Sequence, residues 1–286
     1  VHSTTGRRSS DKTMNVTPQI HLHCALSSVP PQTRSEGNPF LQIAAAGFGG
    51  VECAPPSSAE ASDFKAALEA AGLRFGAAVY LPETEDPEPI FERAAAVGAH
   101  YLEGQIDGYW QTESWIDART RQLIRLGQQY GVPFYLETHR GRYTQDLRRT
   151  LELLERHPDL LLCGDFSHYT VSGELIAPWT GMWRKGLYQV AEKCAVIHAR
   201  MNAGQRVQDP LLAVPLNQQQ EFLELWAFAA RAAGKRGQPS FTLTTELLPT
   251  DYQYRDKLGV PVGDVWQDSL ELRKKIAHYL HPSSLE

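Results

Sequence analysis

The sequence alternates short apolar runs with longer helical patterns eight times. Such alternation indicates βαβ units and a parallel sheet. The predicted strands are 19–26, 50–54, 75–81, 101–106, 133–138, 160–165, 195–200 and 241–246. The predicted helices are 38–46, 62–71, 87–97, 113–130, 144–157, 183–193, 218–233 and 265–280. Eight units in a chain of 286 residues fit a closed (β/α)₈ barrel, which commonly has ~250 residues.

We therefore predict a single (β/α)₈ TIM barrel over residues 18–286, preceded by a disordered tail or expression remnant at residues 1–17. An open doubly wound sheet is the alternative, but eight strands of that kind usually need a longer chain. The phosphate-binding pattern G-x-G-x-x-G does not follow the first strand, and G-x-x-x-x-G-K-[ST] does not occur.

Charge and composition exclude several classes of partner. The net charge of −5 offers no strong electrostatic footprint for a nucleic acid. No apolar stretch reaches the ~18 residues that span a bilayer, which indicates no membrane partner and a cytoplasmic protein. The four cysteines form no C-x-x-C pair and favour free thiols in a reducing compartment over a disulfide framework.

The last four predicted strands each end on acidic or imidazole side chains. The endings are Glu137 with His139, Asp165 with His168, His198 with Arg200, and Glu246. Catalytic groups of a barrel come from the carboxyl ends of several strands, and residues two apart share a face. A lone strand-end acid is usually a solvated or salt-bridged residue, but four endings in series are hard to explain as packing.

We expect Glu137, Asp165, His198 and Glu246 to converge at the barrel mouth. Three carboxylates and one imidazole suit one divalent cation of the Mn²⁺, Mg²⁺ or Co²⁺ type better than a thiolate-preferring ion. Mn²⁺ is the predicted ion, and Zn²⁺ remains an alternative.

Five further residues are predicted to contact the substrate. His168 lies beyond the end of its strand, where a substrate contact is expected. The guanidinium of Arg200 could hold an anionic group of the substrate through two parallel hydrogen bonds, and the arginine-rich stretch that begins at His139 could do the same. Glu52 and Glu103, on the second and fourth strands, could line the same mouth.

The order Glu137, Asp165 with His168, His198 and Glu246 resembles the xylose-isomerase-like TIM-barrel superfamily, over about residues 18–281. That superfamily comprises sugar isomerases and epimerases, inosose and dehydroshikimate dehydratases, and endonuclease IV. In the ketose 3-epimerase branch, the resemblance implies that the four residues bind one Mn²⁺-like ion and that the two glutamates also shuttle protons. The chain departs from that branch at residues 141–143 and 204–206, where a second Glu and an Arg are usual.

The predicted function is metal-dependent isomerisation or epimerisation of a sugar-like carbonyl compound, a small molecule, through a metal-stabilised enediolate. Glu137 and Glu246 would take and return the proton. A lyase or dehydratase acting through the same intermediate is the alternative. An endonuclease IV-like nuclease and a non-catalytic sugar-binding barrel are weaker alternatives. A homo-oligomer is possible.

Overall fold

Eight parallel strands close into a barrel in which each strand pairs with its neighbours in the sequence. The computed structural model describes residues 16–250 and 252–280. The strands are β1 (Gln19–Ala25), β2 (Gly50–Cys53), β3 (Arg74–Leu81), β4 (Leu102–Ile106), β5 (Phe134–Glu137), β6 (Leu161–Gly164), β7 (Cys194–Ala199) and β8 (Ser240–Thr245). The ring closes where β1 pairs with β8, from Gln19 opposite Ser240 to Cys24 opposite Thr245. The predicted (β/α)₈ barrel is confirmed.

The helices surround this barrel. They are α1 (Pro31–Glu36), α2 (Pro39–Ala45), α3 (Ala61–Ala71), α4 (Glu88–Ala96), α5 (Glu113–Tyr130), α6 (Leu147–Arg156), α7 (Phe166–Ser172), α8 (Gly181–Ala191), α9 (Leu216–Lys235) and α10 (Val265–Tyr279). Three-residue 3₁₀ turns lie at Leu26–Ser28, Tyr143–Gln145 and Leu211–Ala213.

Two of these helices, α1 and α7, were not predicted from the sequence. The α7 segment is rich in aromatic and β-branched residues, which have modest helix propensity. It is helical because Asp165 caps it, with Oδ1 accepting a 2.9 Å hydrogen bond from the Ser167 backbone N–H. The helix predicted from residue 144 begins at Leu147, because Asp146 caps it in the same way through the Arg149 N–H.

The core has two parts. The larger part packs the outer faces of the strands against the helices. A smaller, separate cluster joins Tyr101, Cys163 and Val196 with the partly buried Tyr135. Because these four residues belong to β5, β6 and β7 or directly precede β4, this cluster fills part of the barrel interior.

Two glycines make room for large rings inside the barrel. A Cβ at Gly50 would overlap the ring of His23, and a Cβ at Gly76 would overlap the ring of Tyr101. The two rings are 6.1 Å apart between centroids and are both buried. The glycines of β2 and β3 therefore allow polar aromatic side chains to cross the interior below the mouth.

The four cysteines are free thiols, as predicted, and three of them are buried. No helix within residues 16–250 and 252–280 is long and apolar enough to span a bilayer. Residues 1–15 of the predicted tail lie outside the described residues.

Candidate metal centre at the barrel mouth

Four predicted side chains meet at the carboxyl ends of the strands. They are Glu137 at the end of β5, Asp165 directly after β6, His198 in β7 and Glu246 directly after β8. One donor atom from each residue lies within 4.8 Å of the donor atoms of the others. Three of the residues are buried, and the side chain of Glu246 is 15% exposed. The structure thus brings together these residues, called the four-residue cluster below, and their role as metal ligands stays a prediction.

The His198 ring separates two pairs of carboxylates. Its Nδ1 atom lies 3.2 Å from Glu137 Oε1 and 3.1 Å from Glu246 Oε2. Its Nε2 atom lies 2.9 Å from Glu52 Oε1 and 3.8 Å from Glu103 Oε1. The Nδ1 atom therefore faces the cluster, and Nε2 faces the two deeper acids.

Glu52 braces the far side of His198. Its Oε2 atom accepts hydrogen bonds from the Tyr101 hydroxyl at 2.6 Å and from Thr244 Oγ1 at 3.0 Å. The Tyr101 oxygen also lies 3.3 Å from His23 Nδ1. Glu52 was predicted to contact substrate at the mouth, but it is buried against the side of His198 that faces away from the cluster.

Glu103 was also predicted to contact substrate, and it is buried beside the same Nε2 atom. Burial and, next, the neighbouring Glu137 carboxylate raise the pKa of Glu103 well above its usual value. Glu103, Cys163 and His198 bring donor atoms within 4.8 Å of one another. Burial raises the pKa of the Cys163 thiol well above its usual value, which disfavours the thiolate that a soft metal prefers.

Asp165 uses both carboxylate oxygens. Oδ1 accepts from the Ser167 N–H at 2.9 Å and from the Ser167 hydroxyl at 2.5 Å, and Oδ2 accepts from Arg200 Nη2. Burial raises the pKa of this carboxyl, but the Arg200 guanidinium and the His168 ring outweigh burial and hold the pKa below its usual value. Asp165 is therefore ionised and fixed in orientation.

Arg200 was predicted to hold a substrate anion, and it lies against the cluster itself. Its Nη2 atom contacts Asp165 Oδ2 and lies 3.0 Å from Glu246 Oε2. Nε donates to the Ser167 hydroxyl at 3.2 Å, and the guanidinium carbon lies 4.9 Å from the centre of the Tyr252 ring. Although burial opposes ionisation of Glu246, Arg200 and His198 hold the pKa of Glu246 below its usual value.

His139 and His168 stand side by side next to Arg200, with ring centroids 3.9 Å apart. The Tyr252 hydroxyl, from the loop after β8, lies 3.2 Å from His139 Nε2. His168 Nε2 lies 3.4 Å from Arg200 Nη2, and its buried Nδ1 has no hydrogen-bond partner in the described part of the chain. Burial lowers the pKa of His168 well below its usual value. Both predicted substrate-contact histidines thus lie beside the cluster.

Sequence reasoning missed Tyr101, and it did not show that Tyr252 contacts His139. The two-residue period of a strand places Tyr101 on the face of Glu103, and this signal could have identified it. Tyr252 lies in an irregular loop 113 residues after its partner His139, and no local pattern connects the two.

The four-residue cluster fits a divalent cation. It offers three carboxylates and one imidazole nitrogen, which are ligands of Mn²⁺ and Mg²⁺. Glu246 Oε2 is buried and makes no well-formed hydrogen bond to the described residues. The second nitrogen of the predicted histidine ligand meets a carboxylate, as is usual for histidines that bind metals.

The closed-barrel topology agrees with the comparison to known families. The chain matches the family described as xylose isomerase-like TIM barrel over residues 40–208, which is more than half its length. The chain therefore belongs to that family, and the resemblance found in the strand endings is confirmed. No curated protein matches the chain in sequence.

Several solved structures share the fold. A xylose isomerase-like TIM barrel protein from Mycobacterium smegmatis, in complex with magnesium, is 14% identical with a TM-score of 0.60, covering 94% of this chain and 98% of that one. A probable 3-DHS dehydratase from Bacillus anthracis is 16% identical with a TM-score of 0.59, covering 89% and 98%. A sugar phosphate isomerase/epimerase from Parabacteroides distasonis is 14% identical with a TM-score of 0.53, covering 100% and 99%. At these identities the similarity shows the fold, and the reaction has to be argued from the site.

Proposed function

We propose that this chain is a metal-dependent enzyme that isomerises or epimerises a sugar or a related polyhydroxy carbonyl compound. The observation that carries the proposal is the pair Glu137 and Glu246, whose oxygens lie 3.2 and 3.1 Å from the same nitrogen of His198. Glu137 ends β5 and Glu246 follows β8, so the two carboxyl groups approach from strands on either side of β7. One of them can act as the base that takes a proton, and the other as the acid that returns a proton.

The four-residue cluster would hold one divalent cation, with Mn²⁺ as the proposed ion. When bound, the cation would act as a Lewis acid on the substrate carbonyl. Asp165 would serve as a fixed ligand because Ser167 and Arg200 already hold its orientation. Glu52 would fix the His198 tautomer, so that Nδ1 carries the lone pair toward the cluster.

The remaining side chains would bind and orient the substrate. Glu137 or Glu246 would abstract the proton next to the carbonyl, which generates an enediolate in the substrate. His139 and His168 lie beside the cluster and could donate to or accept from hydroxyl groups. Tyr252 would cover the part of the site that His139 and Arg200 form, since its hydroxyl lies near His139 and its ring lies against Arg200. The proposed partner is a small molecule rather than a nucleic acid.

Elimination is the second candidate reaction, and the His139–His168 pair favours it. A lyase needs an acid that protonates the departing oxygen, and His139 lies where it could serve. We favour isomerisation because Glu137 and Glu246 account for both proton transfers without a further acid.

The test starts from purified protein loaded with Mn²⁺. The protein is incubated in D₂O with ketoses, inososes and keto-glycosides, and the products are followed by NMR. Isomerisation or epimerisation gives an equal-mass or singly deuterated sugar. Release of water or an aglycone, or formation of an enone, would establish elimination instead. If no candidate exchanges a proton and no metal binds, the proposal is wrong.

A further inference from the structure

The donor groups at the mouth form two overlapping sets. The first is the four-residue cluster, and the second consists of Glu137, His139 and His168, whose donor atoms also lie within 4.8 Å of one another. Glu137 belongs to both sets. Two sets that share a carboxylate are an arrangement in which a protein can hold two divalent ions ~3.5–4 Å apart.

The Arg200 guanidinium lies where these two sets meet. Its Nη2 atom contacts Asp165 Oδ2 and Glu246 Oε2 of the first set. The same nitrogen lies 3.4 Å from His168 Nε2 of the second set. Arg200 is 1% exposed, so water screens its charge very little.

The guanidinium is held in this place from three directions. Ser167 Oγ accepts from Nε at 3.2 Å, the two carboxylates accept on the Nη2 side, and the Tyr252 ring lies 4.9 Å from the guanidinium carbon. A planar guanidinium with several fixed N–H donors can make these contacts at the same time. A guanidinium also stays protonated at any pH that the fold tolerates. The positive charge is therefore a permanent part of the site.

We propose that the Arg200 guanidinium acts as the second cation of this site and limits the chain to one divalent ion. This inference rests on the proposed function, because it assumes that the four-residue cluster binds metal. Carboxylates that bind a metal are deprotonated, so three ligand carboxylates, one guanidinium and one divalent ion would carry no net formal charge. A second divalent ion would leave an excess of positive charge in a buried site and would lie against the guanidinium. Arg200 is thus a residue that determines metal stoichiometry.

The test measures bound Mn²⁺ per chain in metal-free protein that has been titrated and then desalted, by elemental analysis and native mass spectrometry. Wild type and Arg200→Lys, which keeps the charge, should bind one ion. Arg200→Ala should bind two, because the carboxylates regain unbalanced charge and the second set becomes accessible. Adding His168→Ala to Arg200→Ala should return the count to one, since the second ion loses a ligand.

Arg184→Ala is the matched control. Arg184 also bridges two carboxylates, with Nη1 2.5 Å from Glu221 and Nη2 3.6 Å from Glu224, but it lies on the helix layer and is 36% exposed. This variant should still bind one ion. Where Arg200→Ala does not fold, Arg200→Gln keeps most of the volume and a donor but loses the charge, and it should also bind two.

Two results would overturn the inference. One is a wild-type chain that binds two ions, which needs no variant. The other is a folded Arg200→Ala or Arg200→Gln chain that still binds one ion at saturating Mn²⁺. A wild-type chain that binds none contradicts the proposed function itself, so the two failures are distinguishable.

Discussion

Glu246 differs from the other members of the four-residue cluster because its side chain is partly exposed, at 15%. It directly follows β8 and faces both His198 and Arg200. A carboxylate that is ionised, close to the proposed ion and open to the mouth can reach both metal and substrate. Its proposed role in proton transfer therefore differs from the purely positional role of Asp165.

The first prediction concerns this role. Glu246→Gln should retain part of the Mn²⁺ affinity but lose ~10²–10⁴-fold in kcat, because an amide oxygen can coordinate but cannot carry the proton. Steady-state kinetics with the substrate found by deuterium exchange would measure it. Glu224→Gln, a surface acid on α9, is the control. A kcat within a few-fold of wild type would contradict the assignment.

The second prediction separates the two acids behind His198. Glu52→Gln should weaken Mn²⁺ binding ~10–100-fold, because the carboxylate 2.9 Å from Nε2 orients the ring. Glu103→Gln should change binding much less, because its oxygen lies 3.8 Å away and its raised pKa already disfavours its charged form. Calorimetric titration of both variants measures the contrast, and equal losses would show that Glu52 has no special role.

The four members of the cluster could be predicted because each lies at a strand end, where chain order and barrel topology fix its place. The direction of a long side chain could not be predicted in the same way. Arg200 shares a strand face with His198, yet its guanidinium turns to the carboxylates of the cluster. That choice depends on Ser167 and Tyr252, which come from distant parts of the sequence.

At the scale of elements, α7 is the difference that matters most for the site. The helix predicted for the sixth unit at residues 183–193 is present as α8, but an additional short helix, α7, begins directly after β6. Because Asp165 is the N-cap of α7, the first turn of this helix carries Ser167 and His168 into the mouth. Its residues have modest helix propensity, so propensity did not indicate this helix. Its N-cap, Asp165, was interpreted only as a metal ligand and not as the start of a helix.

The third prediction concerns the interior of β3. Gly76→Ala should destabilise the fold by roughly 1–3 kcal/mol, because the new methyl group overlaps the Tyr101 ring. Displacing that ring should also weaken Mn²⁺ binding, since Tyr101 donates to Glu52. Gly49→Ala is the control, because its added carbon would have only Leu22 O nearby, at 3.9 Å. Urea denaturation of both variants checks the difference, and equal stability would contradict the predicted overlap.

At the scale of the whole molecule, the buried acids make stability depend on pH. A carboxyl with a raised folded-state pKa binds more protons folded than unfolded, so its contribution falls as pH rises above ~4.3 toward the folded pKa. Glu103 is such a group. Asp165 and Glu246 have lowered pKa values, and their contribution is lost as pH falls below about 4.

The fourth prediction follows from these signs. In the presence of a chelator, Glu103→Gln should gain stability over wild type as pH rises above about 5, because it lacks the carboxyl whose raised pKa lowers the stability of wild type there. Thermal unfolding across this pH range measures the trend, and a difference that is flat or falls with pH would show that Glu103 is ionised in the fold.

The proposed metal ligands and the residues that hold His198 in place come from different halves of the barrel. All four members of the cluster lie within residues 134–250, whereas Glu52 and Tyr101, which brace His198, lie in the first half. Exchanging the first four strand–helix units for those of a relative would leave every donor in place and change only the support. Metal affinity could therefore diverge among members of this family by recombination, without any substitution at a donor residue.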